Sequence, residues 1–113
     1  MLGVTSGRLK KTMNDNLIGL NQTYKKVSLS FGVNYQNTSD RTIIAIGTIS
    51  NAGSTYIYLH GYINDVSMSQ NSSVASNSYS LPNSVILIVP PKAFYRFNKH
   101  SSSGTNPNFY ILE

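Results

Sequence analysis

The sequence has no cysteine, no tryptophan and little charge, since only 12% of its 113 residues are charged. A chain without cysteine holds neither a disulfide bond nor a thiolate metal site. No apolar run approaches the length of a membrane span, and the first residues, Met1–Arg8, lack the apolar core of a signal peptide. These absences exclude a disulfide scaffold and predict that the chain does not insert into a membrane.

The abundant residues favour strands over helices. Ser, Thr and Asn dominate the polar set, and eight Tyr and four Phe make up the aromatic set. Aromatic and β-branched side chains suit pleated, half-buried surfaces, where they pack against cross-strand neighbours. A chain of this length fits one domain with a single core. The composition therefore predicts one β-rich domain.

Seven or eight short strands are predicted along the chain. Residues Val27–Tyr35 alternate apolar and polar, which is typical of a strand with one buried and one wet face. Further strands are predicted at 42–49, 55–63, 66–68, 84–89, 93–98 and 109–112, with no helix. Short strands with frequent turns indicate an all-β fold, an antiparallel β-sandwich of the jelly-roll type.

Three polar stretches lie outside these strands. Residues 1–21 are punctuated by glycine, and we expect them to form a neck, linker or arm that precedes a head domain over residues 22–113. Two stretches rich in Ser and Asn, Ser69–Ser80 and Lys99–Asn108, have few apolar residues with which to join a core. Both are predicted to be surface loops.

Two segments are especially informative. Phe31–Ile44 alternates, passes through a polar turn at 37–40 and continues as an apolar run, which is a hairpin signal. In Val85–Tyr95, a wholly apolar strand is stopped by Pro90 and Pro91, which cannot donate hydrogen bonds to a ladder. An aromatic strand then follows.

Together the two segments resemble the C-terminal head domains of tailed-bacteriophage tail fibres, in which such a hairpin and such a double-proline corner recur. The resemblance extends from Leu20 to the end of the chain. Two positions depart from the pattern: Lys92 stands where the family usually has glycine, and Phe109 and Tyr110 stand where tryptophan is often found. Because glycine adopts positive φ at no steric cost, Lys92 raises the question of how this turn forms.

The resemblance implies both a function and an assembly. A head of this kind sits at the virion's fibre tip and attaches it to a bacterial surface polysaccharide or outer-membrane protein without covalent chemistry. It implies a homotrimer in which several weak sites act together. Loops at the end opposite the shaft, or on the flank, are the expected place of contact. The fibre of a phage-derived bacteriocin would share these features.

One predicted strand carries a row of aromatic residues. With the two-residue period of a strand, Tyr56, Tyr58, His60 and Tyr62 share one face, and the aliphatic residues between them point to the core. Tyrosine rings stack on sugar rings and hydrogen-bond their hydroxyls. The same row also suits a subunit interface, where Tyr is enriched, or packing within one subunit. The sequence leaves these three interpretations open.

A second group of candidate binding residues lies in or beside the predicted loops. Tyr79 offers a ring, while Arg96, Lys99 and His100 offer charges suited to anionic sugars or to lipopolysaccharide phosphate. Surrounding Ser and Asn side chains supply adaptable hydrogen bonds. For the loop Ser69–Ser80, the alternative is a solvated connector that binds no ligand.

No constellation in the sequence indicates catalysis. Its few carboxylates are Asp15, Asp40, Asp65, Glu113 and the chain terminus. The three aspartates lie in turn-like contexts, where Asp caps backbone groups, and no Gly-x-Ser-x-Gly elbow occurs. His60 and His100 have no further ligand at metal spacing, although one histidine per subunit on a threefold axis would supply three. We therefore expect no enzymatic activity, cofactor or metal.

The net charge of +5 leaves one alternative function open. Clustered Lys and Arg neutralise phosphates, so an intracellular basic β-module that binds nucleic acid is conceivable. The cations are instead scattered, with no Arg-rich stripe. This distribution favours a solvated surface and no nucleic-acid partner, and the salt dependence of binding distinguishes the two functions.

Overall fold

Eight strands make up the fold. The computed structural model describes residues 18–52, 56–74, 80–99 and 104–113, and at 51–52, 56–57, 73–74, 80–82 and 104–106 it describes the backbone alone. The strands are β1 Tyr24–Val27, β2 Tyr35–Gln36, β3 Ile43–Ala52, β4 Tyr56–Ile63, β5 Val66–Val74, β6 Ser80–Val89, β7 Phe94–Lys99 and β8 Gly104–Leu112.

The strands form two antiparallel sheets of four. The first sheet has the order β1-β8-β3-β6 and the second the order β2-β7-β4-β5. Successive strands cross between the sheets every time except at β4 and β5, which form a hairpin. Two four-stranded sheets connected in this way are the jelly-roll arrangement. The predicted all-β sandwich of jelly-roll type is confirmed.

The core lies between the two sheets and is built mainly from alternate residues of β3, β4, β6, β7 and β8. Its buried apolar members are Ile43, Ala45, Ile49, Leu59, Val85, Leu87, Val89, Ala93, Tyr95, Phe97, Phe109 and Ile111. The sheets approach closely at Gly61, where an added Cβ would lie 2.7 Å from both Leu87 Cδ2 and Val85 Cγ1. Glycine at this point of β4 therefore lets the two sheets pack together.

The two segments that carry the family resemblance meet at one end of the sandwich. The side chain of Asn37 is buried, and its Nδ2 donates to the carbonyl oxygens of Arg41 at 2.7 Å, Val89 at 3.2 Å and Pro90 at 3.1 Å. Its Oδ1 accepts from the backbone N of Ser39 at 3.1 Å and from the Ser39 hydroxyl at 2.7 Å. One asparagine thus joins the polar turn to the double-proline corner.

Lys92 adopts the backbone conformation that glycine would supply, with φ of 67°. A non-glycine residue in this left-handed region costs roughly 1 to 2 kcal/mol. Contacts with the polar turn offset that cost: Lys92 N donates to Asn37 O at 2.8 Å, and Nζ donates to Thr38 O at 2.7 Å. Nζ also lies 3.3 Å from Asp40 Oδ1. The turn keeps positive φ without glycine.

The predicted hairpin over Phe31–Ile44 is wrong. The strand β2 pairs with β7 in the second sheet, whereas β3 pairs with β6 and β8 in the first. Asn37 directs the chain across the edge of the sandwich between them. A period of two identifies apolar faces but not which sheet a strand joins.

The single strand predicted over Val27–Tyr35 is also wrong. β1 ends at Val27, and residues 28–34 are outside any strand. Leu29 and Phe31 nevertheless pack partly against the core, while Val33 is exposed. In this stretch the chain crosses from the first sheet to the second, and its alternating apolar residues lie along the opening between the two sheets.

Both predicted loops are shorter than expected because strands extend into them. Residues 69–74 belong to β5 and residues 104–108 to β8. Ser72 pairs with Tyr58, and Asn108 pairs with Thr48. Ladder hydrogen bonds join backbone groups. A polar segment therefore also continues a strand when it lies beside a long neighbouring strand.

The two ends of the sandwich differ in what they carry. At one end the described chain enters, and Thr23 and Glu113 exchange two backbone hydrogen bonds, at 3.0 and 3.1 Å. At the other end lie the strand termini around Ala52 and Ser80, which pair with each other, and around Gly104, which pairs with Asn51. Residues 1–17 lie outside the described residues, so the boundary at residue 21 stays a prediction.

Candidate functional site

The strand β4 presents three aromatic rings on the outer face of the second sheet. Leu59 and Gly61 point inward, so Tyr58, His60 and Tyr62 point outward, each of them half-buried. The Tyr58 and His60 ring centroids are 4.4 Å apart with planes at 86°, and those of His60 and Tyr62 are 5.3 Å apart. We call these three residues the tyrosine–histidine face.

Hydrogen bonds hold the His60 ring in place. Its Nε2 lies 2.6 Å from Gln70 Oε1 and 3.0 Å from the Tyr58 hydroxyl, and its Nδ1 lies 3.4 Å from the Tyr62 hydroxyl. The Tyr58 hydroxyl also contacts Gln70 Oε1. Because an amide oxygen only accepts, Nε2 is the donor in the contact with Gln70, which in a neutral ring makes Nδ1 the acceptor. The face therefore offers both donors and acceptors.

Arg96 borders the face from the neighbouring strand. It pairs with Tyr62 across β4 and β7, and its guanidinium carbon lies 4.4 Å from the Tyr62 ring centroid. Its Nη1 donates to Asp65 Oδ1 at 2.6 Å and to Asn34 Oδ1 at 3.0 Å. Its side chain is only 16% exposed. The carboxylate of Asp65 compensates this charge, so Arg96 stiffens the site more than it attracts anions.

The turn between β4 and β5 places that carboxylate. Asn64 and Asp65 have φ of 49° and 65°, the two positive values of a type I′ hairpin turn. Farther along, Gly61 pairs with Ser69 and Tyr62 with Ser67, so Met68 is an extra residue that forms a bulge. This bulge shifts the register by one and brings Gln70, not Ser69, opposite His60.

A shallow groove extends the face toward the sheet edge. It has a volume of about 280 Å³ and is lined by Phe31, Gly32, Asn98 and Lys99. Asn98 pairs with His60 across the strands, and its Oδ1 is buried without a hydrogen-bond partner among the described residues. Lys99 Nζ lies 5.3 Å from the Phe31 ring centroid. The groove therefore adds a ring edge to the face, while the Asn98 oxygen is buried in its wall.

The opposite end of the sandwich has a smaller cavity, of about 210 Å³, between the sheets. Tyr95, Ile43 and Glu113 are among its lining residues. Burial raises the pKa of Tyr95 above its ordinary 10.0, and the nearby Glu113 and Tyr35 raise it further. Ligand pockets usually exceed about 300 Å³, so neither this cavity nor the groove is by itself a pocket for a small molecule. This cavity fits a few waters better than a sugar.

The structure brings together most of the predicted site residues that it describes. Tyr58, His60, Tyr62 and Arg96 form one cluster, and Lys99 lines the adjoining groove. Tyr56 lies on the same strand, but its side chain, like all of Tyr79 and His100, lies outside the described residues.

The sequence analysis missed the polar partners of the cluster. They are Asn34, Asp65, Gln70 and Asn98. A regular pairing of β4 and β5 counted from their two-residue turn would place Ser69 opposite His60. The bulge at Met68 shifts the register so that Gln70 takes this place. Asn34 reaches Arg96 from a segment 62 residues away in sequence. No local pattern reveals such a contact.

The charged groups near the ends of the strands are mostly paired. Lys25 lies 3.7 Å from Glu113, Lys92 lies near Asp40, and Arg96 binds Asp65. In the described part of the chain, no three His, Cys, Asp or Glu side chains gather where a metal could bind. Among the same residues, no helix is long and apolar enough to cross a membrane.

No family model, curated protein or solved structure matches the chain.

Proposed function

We propose that this chain is the receptor-binding head of a tailed-phage fibre and that it binds a bacterial surface saccharide at the tyrosine–histidine face. The observation that carries the proposal is the set of three half-exposed rings of Tyr58, His60 and Tyr62, bordered by Gln70 and Asn98. Rings of this kind pack against the C–H faces of sugars, while hydroxyl and amide groups bind sugar hydroxyls.

The charge balance of the face indicates which saccharides suit it. Its one arginine, Arg96, is bound to Asp65 and stacked on Tyr62, so little positive charge remains for an anionic ligand. Gln70 and Ser72, which lie opposite His60 and Tyr58 on β5, are exposed and uncharged. An uncharged sugar unit fits this surface better than a phosphate or an acidic sugar, which differs from the anionic ligands first expected for Arg96 and Lys99.

The architecture is consistent with a head domain. Jelly rolls occur in viral capsid and lectin domains, which is an analogy of fold and not of site. The described chain enters at one end of the sandwich, and the tyrosine–histidine face lies on the flank. A head carried on a shaft would leave both the flank and the far end accessible to a cell surface.

Assembly and localisation follow from the same proposal. A homotrimer at the fibre tip presents three copies of the face, and several weak sites bind a repetitive surface far more strongly than one. Binding alone accomplishes attachment, so we propose no catalytic step, cofactor or metal. An outer-membrane protein at the same face is the alternative receptor.

Adsorption to cells tests the proposal. The labelled protein is mixed with a panel of bacterial strains, each with its surface polysaccharide intact or stripped. We expect binding to intact cells of at least one strain, reduced at least tenfold by Tyr58→Ala or His60→Ala, a loss of about 1.4 kcal/mol. The control is Val66→Ala, an exposed residue of the same sheet outside the cluster.

Two results would contradict the proposal. One is unchanged adsorption by both site variants while circular dichroism shows that they are folded. The other is binding that persists on stripped cells, which would point to a protein receptor and away from a saccharide.

A further inference from the structure

The outer face of the first sheet is apolar. Ile44 pairs with Ile88 and Ile46 pairs with Ile86 across β3 and β6, and Tyr110 of β8 lies opposite Ile46 on the other side. Because the intervening residues point to the core, these five side chains point outward together. We call them the aliphatic face.

Such a face is unusual for a sheet that meets water. An antiparallel sheet with one wet side normally alternates apolar and polar residues. In β6, Val85, Leu87 and Val89 are buried, yet Ile86 and Ile88 between them are 58% and 59% exposed. The strand has the pattern of one that is covered on both sides, but in the single chain the described residues leave Ile86 and Ile88 open.

The size of the face indicates what kind of contact it can make. The face covers three strands, β6, β3 and β8, and three strands about 4.8 Å apart with about five residues at 3.4 Å each give a projected area of roughly 250 Å². Apolar patches near this size mark interaction sites, but each partner in a stable complex buries about 800 Å². The face therefore suits a reversible contact, which strengthens when copies are held close together.

The distribution of charge indicates the partner. The chain carries a net charge of +5, so two copies repel each other on balance. On and beside the aliphatic face, the described cation is Lys26, which pairs with Tyr110 at its margin. Two copies can meet here without bringing many like charges together, and without needing acidic groups on either side.

We propose that the aliphatic face is covered by a second copy of this chain. This assignment also leaves the tyrosine–histidine face on the opposite sheet free for a ligand. It does not depend on the identity of the receptor, because it concerns only contacts between copies.

Sedimentation velocity over a hundredfold range of protein concentration tests the inference. The wild-type chain should associate, with the mass rising from 12.4 kDa to a small multiple of it as concentration increases. The double variant Ile86→Lys/Ile88→Lys should associate at least tenfold more weakly. Lysine is a natural blocker of exposed sheet edges, so this variant should fold.

A matched control carries the same added charge elsewhere. Val66 and Met68 on β5 are 59% and 57% exposed, and Val66→Lys/Met68→Lys should associate as the wild type does. A wild-type monomer at every concentration would overturn the inference. So would equal association by the Ile86→Lys/Ile88→Lys variant, or equal loss in both variants, which would indicate charge repulsion with no specific face.

Discussion

At the scale of single residues, Asn37 shows how one side chain directs the backbone. A buried polar group is costly unless it is hydrogen-bonded, and Asn37 satisfies both its amide nitrogen and its oxygen. In doing so it supplies donors to carbonyls of the double-proline corner, where Pro90 and Pro91 have no N–H of their own. The two segments of the family resemblance are thus parts of one structural unit.

Asn37→Ala should destabilise the protein by roughly 2 to 4 kcal/mol, because it leaves the carbonyls of Arg41, Val89 and Pro90 without this donor. Chemical denaturation at neutral pH measures the change. The exposed neighbour Thr38 provides the control, since Thr38→Ala should change stability by less than about 0.5 kcal/mol. A loss below 1 kcal/mol for Asn37→Ala would show that water replaces the amide.

Tyr95 gives the fold a dependence on alkaline pH. Its pKa is raised in the folded protein, chiefly by burial, so the folded state holds the proton more tightly than the unfolded state. Its stabilising contribution is therefore fully present below pH 10 and declines as pH rises through the folded-state pKa.

The expected result is that the stability of the wild type relative to Tyr95→Phe falls as pH increases above about 10. Urea denaturation at several pH values between 8 and 11.5 measures it. Tyr24→Phe is the control, because the ring of Tyr24 is largely exposed. A difference that stays constant with pH would contradict the burial of the Tyr95 hydroxyl.

At the scale of elements, β4 serves the core and the candidate site at once. Its inward positions include Leu59 and Gly61, and its outward positions carry the three rings. The hairpin to β5 adds Asp65 through its turn and Gln70 through its bulge. A change on the inner side of β4 should therefore also disturb the outer side.

Gly61→Ala should cost roughly 1 to 3 kcal/mol, because the new methyl group would lie 2.7 Å from Leu87 and Val85 and force the sheets apart. Thermal denaturation measures the loss. Ser67→Ala, an exposed change on the paired strand, should leave the melting temperature nearly unchanged. If Gly61→Ala melts like the wild type, the sheets are less closely packed at this point than described.

At the scale of the whole molecule, the two sheets present different outer faces. The first sheet offers isoleucines and a tyrosine, and the second offers rings, amides and one compensated ion pair. Apolar surface favours contact with protein, whereas aromatic rings beside amides favour a hydrated polar ligand. This difference is the physical basis for assigning assembly to one face and binding to the other.

Binding to the receptor should depend weakly on salt. A ligand held by rings and neutral hydrogen bonds should lose less than about threefold in affinity between 50 and 200 mM salt, whereas a protein that neutralises several phosphates loses about a thousandfold. Biolayer interferometry with immobilised surface polysaccharide measures the slope, and double-stranded DNA serves as the comparison ligand. Tight, salt-sensitive binding to DNA would favour the nucleic-acid alternative.

The sequence by itself determined the β-sandwich and much of the candidate site. Alternation in β4 places Tyr58, His60 and Tyr62 on one face, because a strand has a period of two whatever its neighbours are. The double proline likewise marks the end of β6, and the polar turn marks the end of β2. Such features depend on residues close together in the chain, so a pattern is enough to find them.

Tertiary structure alone decided which sheet each strand joins and which polar groups complete the site. The alternation of 27–35 does not reveal that the chain crosses between the sheets there. Likewise, the Ser- and Asn-rich stretch after Met68 does not reveal that it continues β5 as a strand by pairing with β4. Asn34 meets Arg96, and Gln70 meets His60, only through strand register and a bulge. Register is set by the packing of distant segments, and that information is not present in any local run of residues.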